Sequence, residues 1–155
     1  YGIKVSEQEA TEIRARYFQT YRDLESWYNL QKRLCKLDGG VYTLFGRFRA
    51  LPGIYSDDWS EKGSAERCCI NTPVQSSGSD ILLSSMIEID NTLPECSIVC
   101  TVHDSILVEV PEDKVDYYKE KIGNIMRHPK LLEYFGVKLT VPLDIDIGVG
   151  PWGTH

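Results

Sequence analysis

A chain of 155 residues is long enough for one domain with a hydrophobic core and too short for two ordinary ones. With 42% hydrophobic and 26% charged residues, and no apolar run near the roughly 20 residues that cross a bilayer, the composition predicts a soluble globular protein and no membrane span. The net charge of −6 excludes unspecific capture of nucleic acid by the whole surface, although residues 31–72 carry seven Lys/Arg against five Asp/Glu while residues 88–146 carry six against twelve.

The five cysteines, Cys35, Cys68, Cys69, Cys96 and Cys100, are odd in number and form no C-x-x-C, which argues against zinc and for reduced thiols in a cytoplasmic protein. No basic-then-apolar leader opens the chain. Its start at Tyr1 rather than Met suits a processed product or a fragment.

Ser6 followed by Glu9 has the capping-box form. Ala10, Ile13, Tyr17, Tyr21, Leu24, Trp27 or Tyr28, and Leu34 then recur every three or four residues. That spacing predicts one long amphipathic helix over 6–36, ended by Asp38-Gly39-Gly40, with its apolar stripe packed into a core. Residues 41–54 read as two short strands about Phe45-Gly46, with Arg47 and Arg49 on one face and Phe48 on the other. Residues 55–63 form a polar loop. Ser64-Ala65-Glu66 starts a short helix through Asn71, and Pro73, suited to a first helical turn, starts another that ends at Asp90. Arg67, Asn71 and Gln75 are spaced four apart. One cation and two amides can read acceptors in a DNA groove, whereas an ordinary solvated face is the simpler reading of the spacing alone.

Two β-branched runs, Ile98–Val102 and Ile106–Val110, flank His103, Asp104 and Ser105. This predicts a tight hairpin that lifts one imidazole and one carboxylate clear of a buried pair of strands. An acid at such a tip is well placed to hold a metal ion, and a plain surface turn is the local alternative. Pro111-Glu112-Asp113 begins a helix to about Arg127, and residues 129–135 add a turn. Residues 137–149 read as one or two strands with Asp144 and Asp146 on the face away from the core. Those carboxylates either face solvent or form a second metal pair, which with His103 and Asp104 would suit a small metallohydrolase.

Taken in order, four stretches resemble family A DNA polymerases, the bacterial DNA polymerase I type, of which phage-encoded and split forms are variants. Ala-Glu-Arg-Cys-Cys-Ile-Asn-Thr-Pro-Val-Gln-Ser-Ser-Gly-Ser-Asp-Ile (65–81) resembles their Q helix, and Thr-Val-His-Asp-Ser-Ile-Leu-Val-Glu-Val-Pro (101–111) their motif C. Thr43-Leu-Phe-Gly-Arg-Phe-Arg resembles the stretch before the Q helix. Val141-Pro-Leu and Gly148-Val-Gly-Pro-Trp-Gly-Thr-His resemble the end of the family's chain. The resemblance covers nearly the whole sequence. It does not include the family's motif A, which carries the first catalytic aspartate, or the O helix, and Tyr1-Gly2 is a false match to the end of the latter.

The resemblance implies an α+β fold: the C-terminal half of a polymerase palm, its antiparallel hairpin carrying motif C and packed by long helices, plus part of the fingers. About 1–63 would be the fingers-side helix and Arg-rich hairpin, and about 64–155 the palm. It implies DNA-directed DNA synthesis by two-metal catalysis with Mg²⁺, in which Asp104 is a catalytic carboxylate and metal ligand. His103 would touch the primer end, and Arg67, Asn71 and Gln75 the minor groove of primer-template DNA. A second carboxylate and the grip on the dNTP would come from an N-terminal polymerase segment, without which the chain is expected to be inactive. One departure is Ser105, which stands where motif C usually has Glu. The alternative is a non-catalytic module, derived from a polymerase, that holds primer-template DNA.

Overall fold

The computed structural model describes residues 5–150. Its elements run α1 (Glu7–Thr20), α2 (Arg22–Asp38), β1 (Gly40–Tyr42), β2 (Phe48–Ala50), a 3₁₀ turn (Pro52–Tyr55), α3 (Trp59–Thr92), β3 (Ser97–Val102), β4 (Ser105–Glu109), a 3₁₀ turn (Glu112–Lys114), α4 (Val115–Arg127) and α5 (Lys130–Tyr134). Long helices with two small antiparallel hairpins make this the expected α+β class. The chain divides into two compact units, residues 1–73 and 74–155, so the division falls within α3.

In the first unit, Ser6 opens α1 as its sequence suggests. Glu9 N–H donates to Ser6 Oγ (3.2 Å), and Ser6 N–H donates to Glu9 Oε2 (2.8 Å). The expected single helix over 6–36 is two. It breaks at Tyr21 (φ −112°, ψ 70°), although Tyr21 N–H still donates to the Tyr17 carbonyl. The sequence stripe runs on, but the packing does not: α1 buries no residue and α2 buries Cys35. The turn at Tyr21 brings Phe18 edge-on to Tyr28, with ring centroids 5.8 Å apart, a contact that one straight helix cannot make. Hence the stripe of α1, expected in a core, stays exposed at Ile13, Tyr17 and Tyr21. The stop is as expected: Gly39 takes a left-handed φ of 74° and donates to the Cys35 carbonyl at 2.9 Å.

β1 and β2 pair in the register Gly40↔Ala50, Val41↔Arg49, Tyr42↔Phe48, as the sequence indicated. Buried Thr43 shapes their turn, its hydroxyl accepting from Phe45 N–H (3.3 Å) and Arg47 N–H (3.2 Å). Arg49 leaves the hairpin to donate to the Thr72 hydroxyl at 2.9 Å. The supposed polar loop 55–63 is a helix start. Asp58 Oδ1 accepts from Glu61 N–H (2.8 Å) and α3 begins at Trp59. Nor do two helices meet at Pro73, because α3 is continuous through it. Pro73 lacks one helical N–H, and the helix runs on through it with Cys69 and Thr72 buried on one side and Ser77 and Ser85 on the other. Cys35, Val41, Leu51, Ile54, Ala65 and Cys69 form the core of the first unit.

In the second unit, Ile89, Leu93, Cys96, Tyr118, Ile122 and Ile125 form the core, with Ile98, Ile106 and Val108 of the β3–β4 hairpin packed against it. α4 ends at Arg127, as expected. Residues 137–149, expected as strands, pair with no strand. Pro142 has no N–H to give a ladder, and the Ile145 N–H is taken by the Asp144 carboxylate at 3.0 Å. Arg127 holds the Ile145 carbonyl (3.2 Å), so the segment is pinned by a side chain instead. The alternation survives: Leu143, Ile145 and Ile147 are half-buried while Asp144 and Asp146 are exposed. The Tyr1-Gly2 match and the last five residues of the chain-end match lie outside the described residues.

The thiols of Cys35 and Cys69 are fully buried in the first core, and burial chiefly pushes Cys69 up from an ordinary 9.0 to about 11. The unfolded chain therefore releases this proton before the folded one. Stability is intact below about pH 9 and falls as pH rises towards about 11. In urea denaturation, Cys69→Ala should be less stable than wild type at pH 7, with the gap narrowing by pH 10.5. A constant gap would mean the thiol is not held neutral.

The candidate site at the β3–β4 hairpin

The hairpin pairs Ile98↔Val108, Cys100↔Leu107, Thr101↔Ile106 and Val102↔Ser105, with one irregular step at Val99. That extra residue adds local twist. Only His103 and Asp104 remain for the turn, and His103 takes a positive φ of 56°. A non-glycine residue there costs on the order of 1 kcal/mol or more, a strain concentrated at functional turns. The strands are less buried than expected, with Val99 and Val102 exposed and the opposite face on the core. Ser105 starts β4, and its hydroxyl donates to the Val102 carbonyl at 2.8 Å, so the residue in place of the expected glutamate is used to close the hairpin.

His103 and Asp104 open onto a cavity of about 580 Å³ that α3 lines with Gln75, Gly78 and Ser79. A Cβ built on Gly78 meets nothing within 4 Å, so this wall is open. Three of the five residues singled out from the sequence, Gln75, His103 and Asp104, thus share one site. Arg67 and Asn71 belong to the first unit, one turn apart on α3 and exposed; Arg67 borders a separate cleft beside Lys62 and Trp59. Among the described residues, no hydrogen bond or ion pair engages the side chains of Arg67, Asn71, Gln75, His103 or Asp104. Five exposed polar groups are therefore free to meet a ligand.

Magnesium needs only one or two protein carboxylates, completing its shell with water and phosphate oxygens. The free carboxylate of Asp104 fits one such place. Among the described residues, no group of three His, Cys, Asp or Glu could hold a metal. Asp144 and Asp146 therefore do not join His103 and Asp104 in one metal-binding group, which removes the cluster that the metallohydrolase reading needs. Apolar walls from Met126, Leu143 and Ile145 complete the cavity. Their place in the site has no local sequence signal, because they come from segments 22 or more residues beyond the hairpin tip.

A family profile described as DNA polymerase family A matches residues 2–154. The DNA polymerase of Bacillus phage SP01 is 35% identical over 154 residues, covering 96% of this chain and 17% of that protein. DNA polymerase I of Pseudomonas aeruginosa is 34% identical over 96% of this chain and 16% of its own length. Among solved structures, the POL domain of Pol1 from M. smegmatis, in complex with DNA primer-template and dNTP, superposes with a TM-score of 0.81 at 27% identity, covering 90% of this chain and 24% of that one. The chain thus spans about one sixth of the curated relatives it matches. With the profile match running almost end to end, the chain belongs to DNA polymerase family A.

Proposed function

We propose that this chain supplies the motif C carboxylate and part of the primer-template contact surface of a DNA-directed DNA polymerase, and is active only together with an N-terminal polymerase segment. The observation that carries this is Asp104, free and exposed at a rigid hairpin tip, in one cavity with Gln75 and His103. In this reading residues 1–63 lie on the fingers side, residues 64–155 in the palm, and the enzyme works in the cytoplasm. Asp104 holds Mg²⁺, and a second carboxylate comes from the N-terminal segment together with the grip on the dNTP. Bound there, Mg²⁺ would supply Lewis-acid activation of the primer 3′-hydroxyl and charge stabilisation for the leaving pyrophosphate. His103 positions the primer end. Arg67, Asn71 and Gln75 donate to minor-groove acceptors, which sit alike in every correct pair, so they check pair geometry without reading sequence.

Ser105 favours a second reading, a DNA-holding module whose chemistry has lapsed, because its hydroxyl is committed to Val102 and carries no charge. The two are separated by extension assays on the chain combined with its N-terminal segment. A competent site extends primers with Mg²⁺ as it stands, and Ser105→Glu changes the rate by less than about tenfold. If wild type is inert and Ser105→Glu restores extension, the lapsed reading holds.

A further inference from the structure

Helix α1 is 14 residues long and buries none of them. Ile13 is 54% exposed, Tyr17 44% and Tyr21 56%. Ile13 and Tyr17 stand one turn apart on one face, and Tyr17 continues it to Tyr21, with ring centroids 5.2 Å apart. An isolated helix of about this length is marginal in water. Contiguous apolar surface of this kind marks a contact site.

We propose that the Ile13–Tyr17–Tyr21 face is the seat for the part of the polymerase fold that lies outside these 155 residues in the relatives. This rests on the reading that an N-terminal polymerase segment completes the chain. That occupant fits because the chain covers 17% of its phage relative and 24% of the M. smegmatis POL domain, so most of the fold that could cover α1 is elsewhere. A second copy fits less well. Three half-exposed side chains, at roughly 150–250 Å² each when whole, offer well under the roughly 1,200 Å² of a stable dimer. A polymerase segment can add contacts beyond this stripe.

The test combines the full chain with the N-terminal part of the Bacillus phage SP01 DNA polymerase, ending where its match to this chain begins, and measures association by sedimentation velocity. The double variant Ile13→Asp, Tyr17→Asp changes this face, in which Tyr17 also meets Phe18, Tyr21 and Tyr28. The single variant Ile13→Asp, whose circular dichroism and thermal unfolding should match wild type, is therefore measured beside it and should also lose affinity. The double variant's affinity for the segment should fall by about a hundredfold or more. Gln8→Asp, on the opposite side of α1, should associate as wild type. The proposal is overturned if the double variant binds equally well, if wild type does not bind, or if wild type self-associates and the double variant disperses it. The catalytic reading fails separately. Loss of association in the double variant, with a wild-type complex that does not extend primers, leaves docking standing. Asp104-dependent extension with an unaffected double variant does the reverse.

Discussion

Asp104→Ala in the completed polymerase is expected to lower Mg²⁺-dependent primer extension by on the order of 10³-fold or more, with primer-template affinity kept within about threefold. The asymmetry follows from charge. In the proposed reading, removing this carboxylate would take away a ligand for Mg²⁺, and with it the stabilisation of charge developing on the attacking and leaving oxygens. DNA affinity rests mostly on cations facing phosphates, so losing one anion at the hairpin tip does not weaken it. Backbone change is no confounder, since Asp104 is exposed, makes no hydrogen bond among the described residues and is not the residue with positive φ. Burst kinetics beside a fluorescence-anisotropy titration would measure both. Near-wild-type extension would remove Asp104 from the chemistry, and parallel loss of binding would make it a folding residue.

The second large effect is on stability. A Cβ on Gly40 would meet the Arg49 carbonyl within contact distance and the Phe48 ring carbon Cζ at 2.5 Å. The carbonyl is backbone and cannot rotate away, so Gly40→Ala must part β1 from β2. The damage spreads from there, because Arg49 reaches Thr72 from this hairpin and Val41 sits in the first core. A loss of about 3 kcal/mol is expected, read as a lower urea midpoint. Gly148→Ala is the control, since its added Cβ meets nothing within 4 Å. If the two variants unfold alike, the close approach at Gly40 is wrong.

Where local chemistry decides the structure, the sequence was readable. β-branched runs on both sides of His103-Asp104 could only make a tight hairpin, and Ser6 with Glu9 announced a helix start that the hydrogen bonds reproduce. Asp58 and Glu61 carry the same kind of start signal, hidden by the polar residues around them. Contacts distant in sequence were not readable. Nothing local at Tyr21 marks a break, and Pro73 signals one that α3 does not make. The alternation at Leu143–Ile147 pointed correctly to its two faces but not to the lack of a partner strand. In the site, Gln75, His103 and Asp104 were picked out singly, while their shared cavity depends on how α3 and the hairpin pack within the second unit. Arg49's bond to Thr72, across 23 residues, has no sequence signature.

The most direct measurement is Mg²⁺-dependent extension of a primer-template by the chain alone, by an N-terminal family A segment alone, and by the two together. The account predicts no incorporation by either part and extension by the pair, lost with Asp104→Ala. Robust extension by the 155 residues alone, or an associated pair that incorporates nothing, would contradict it.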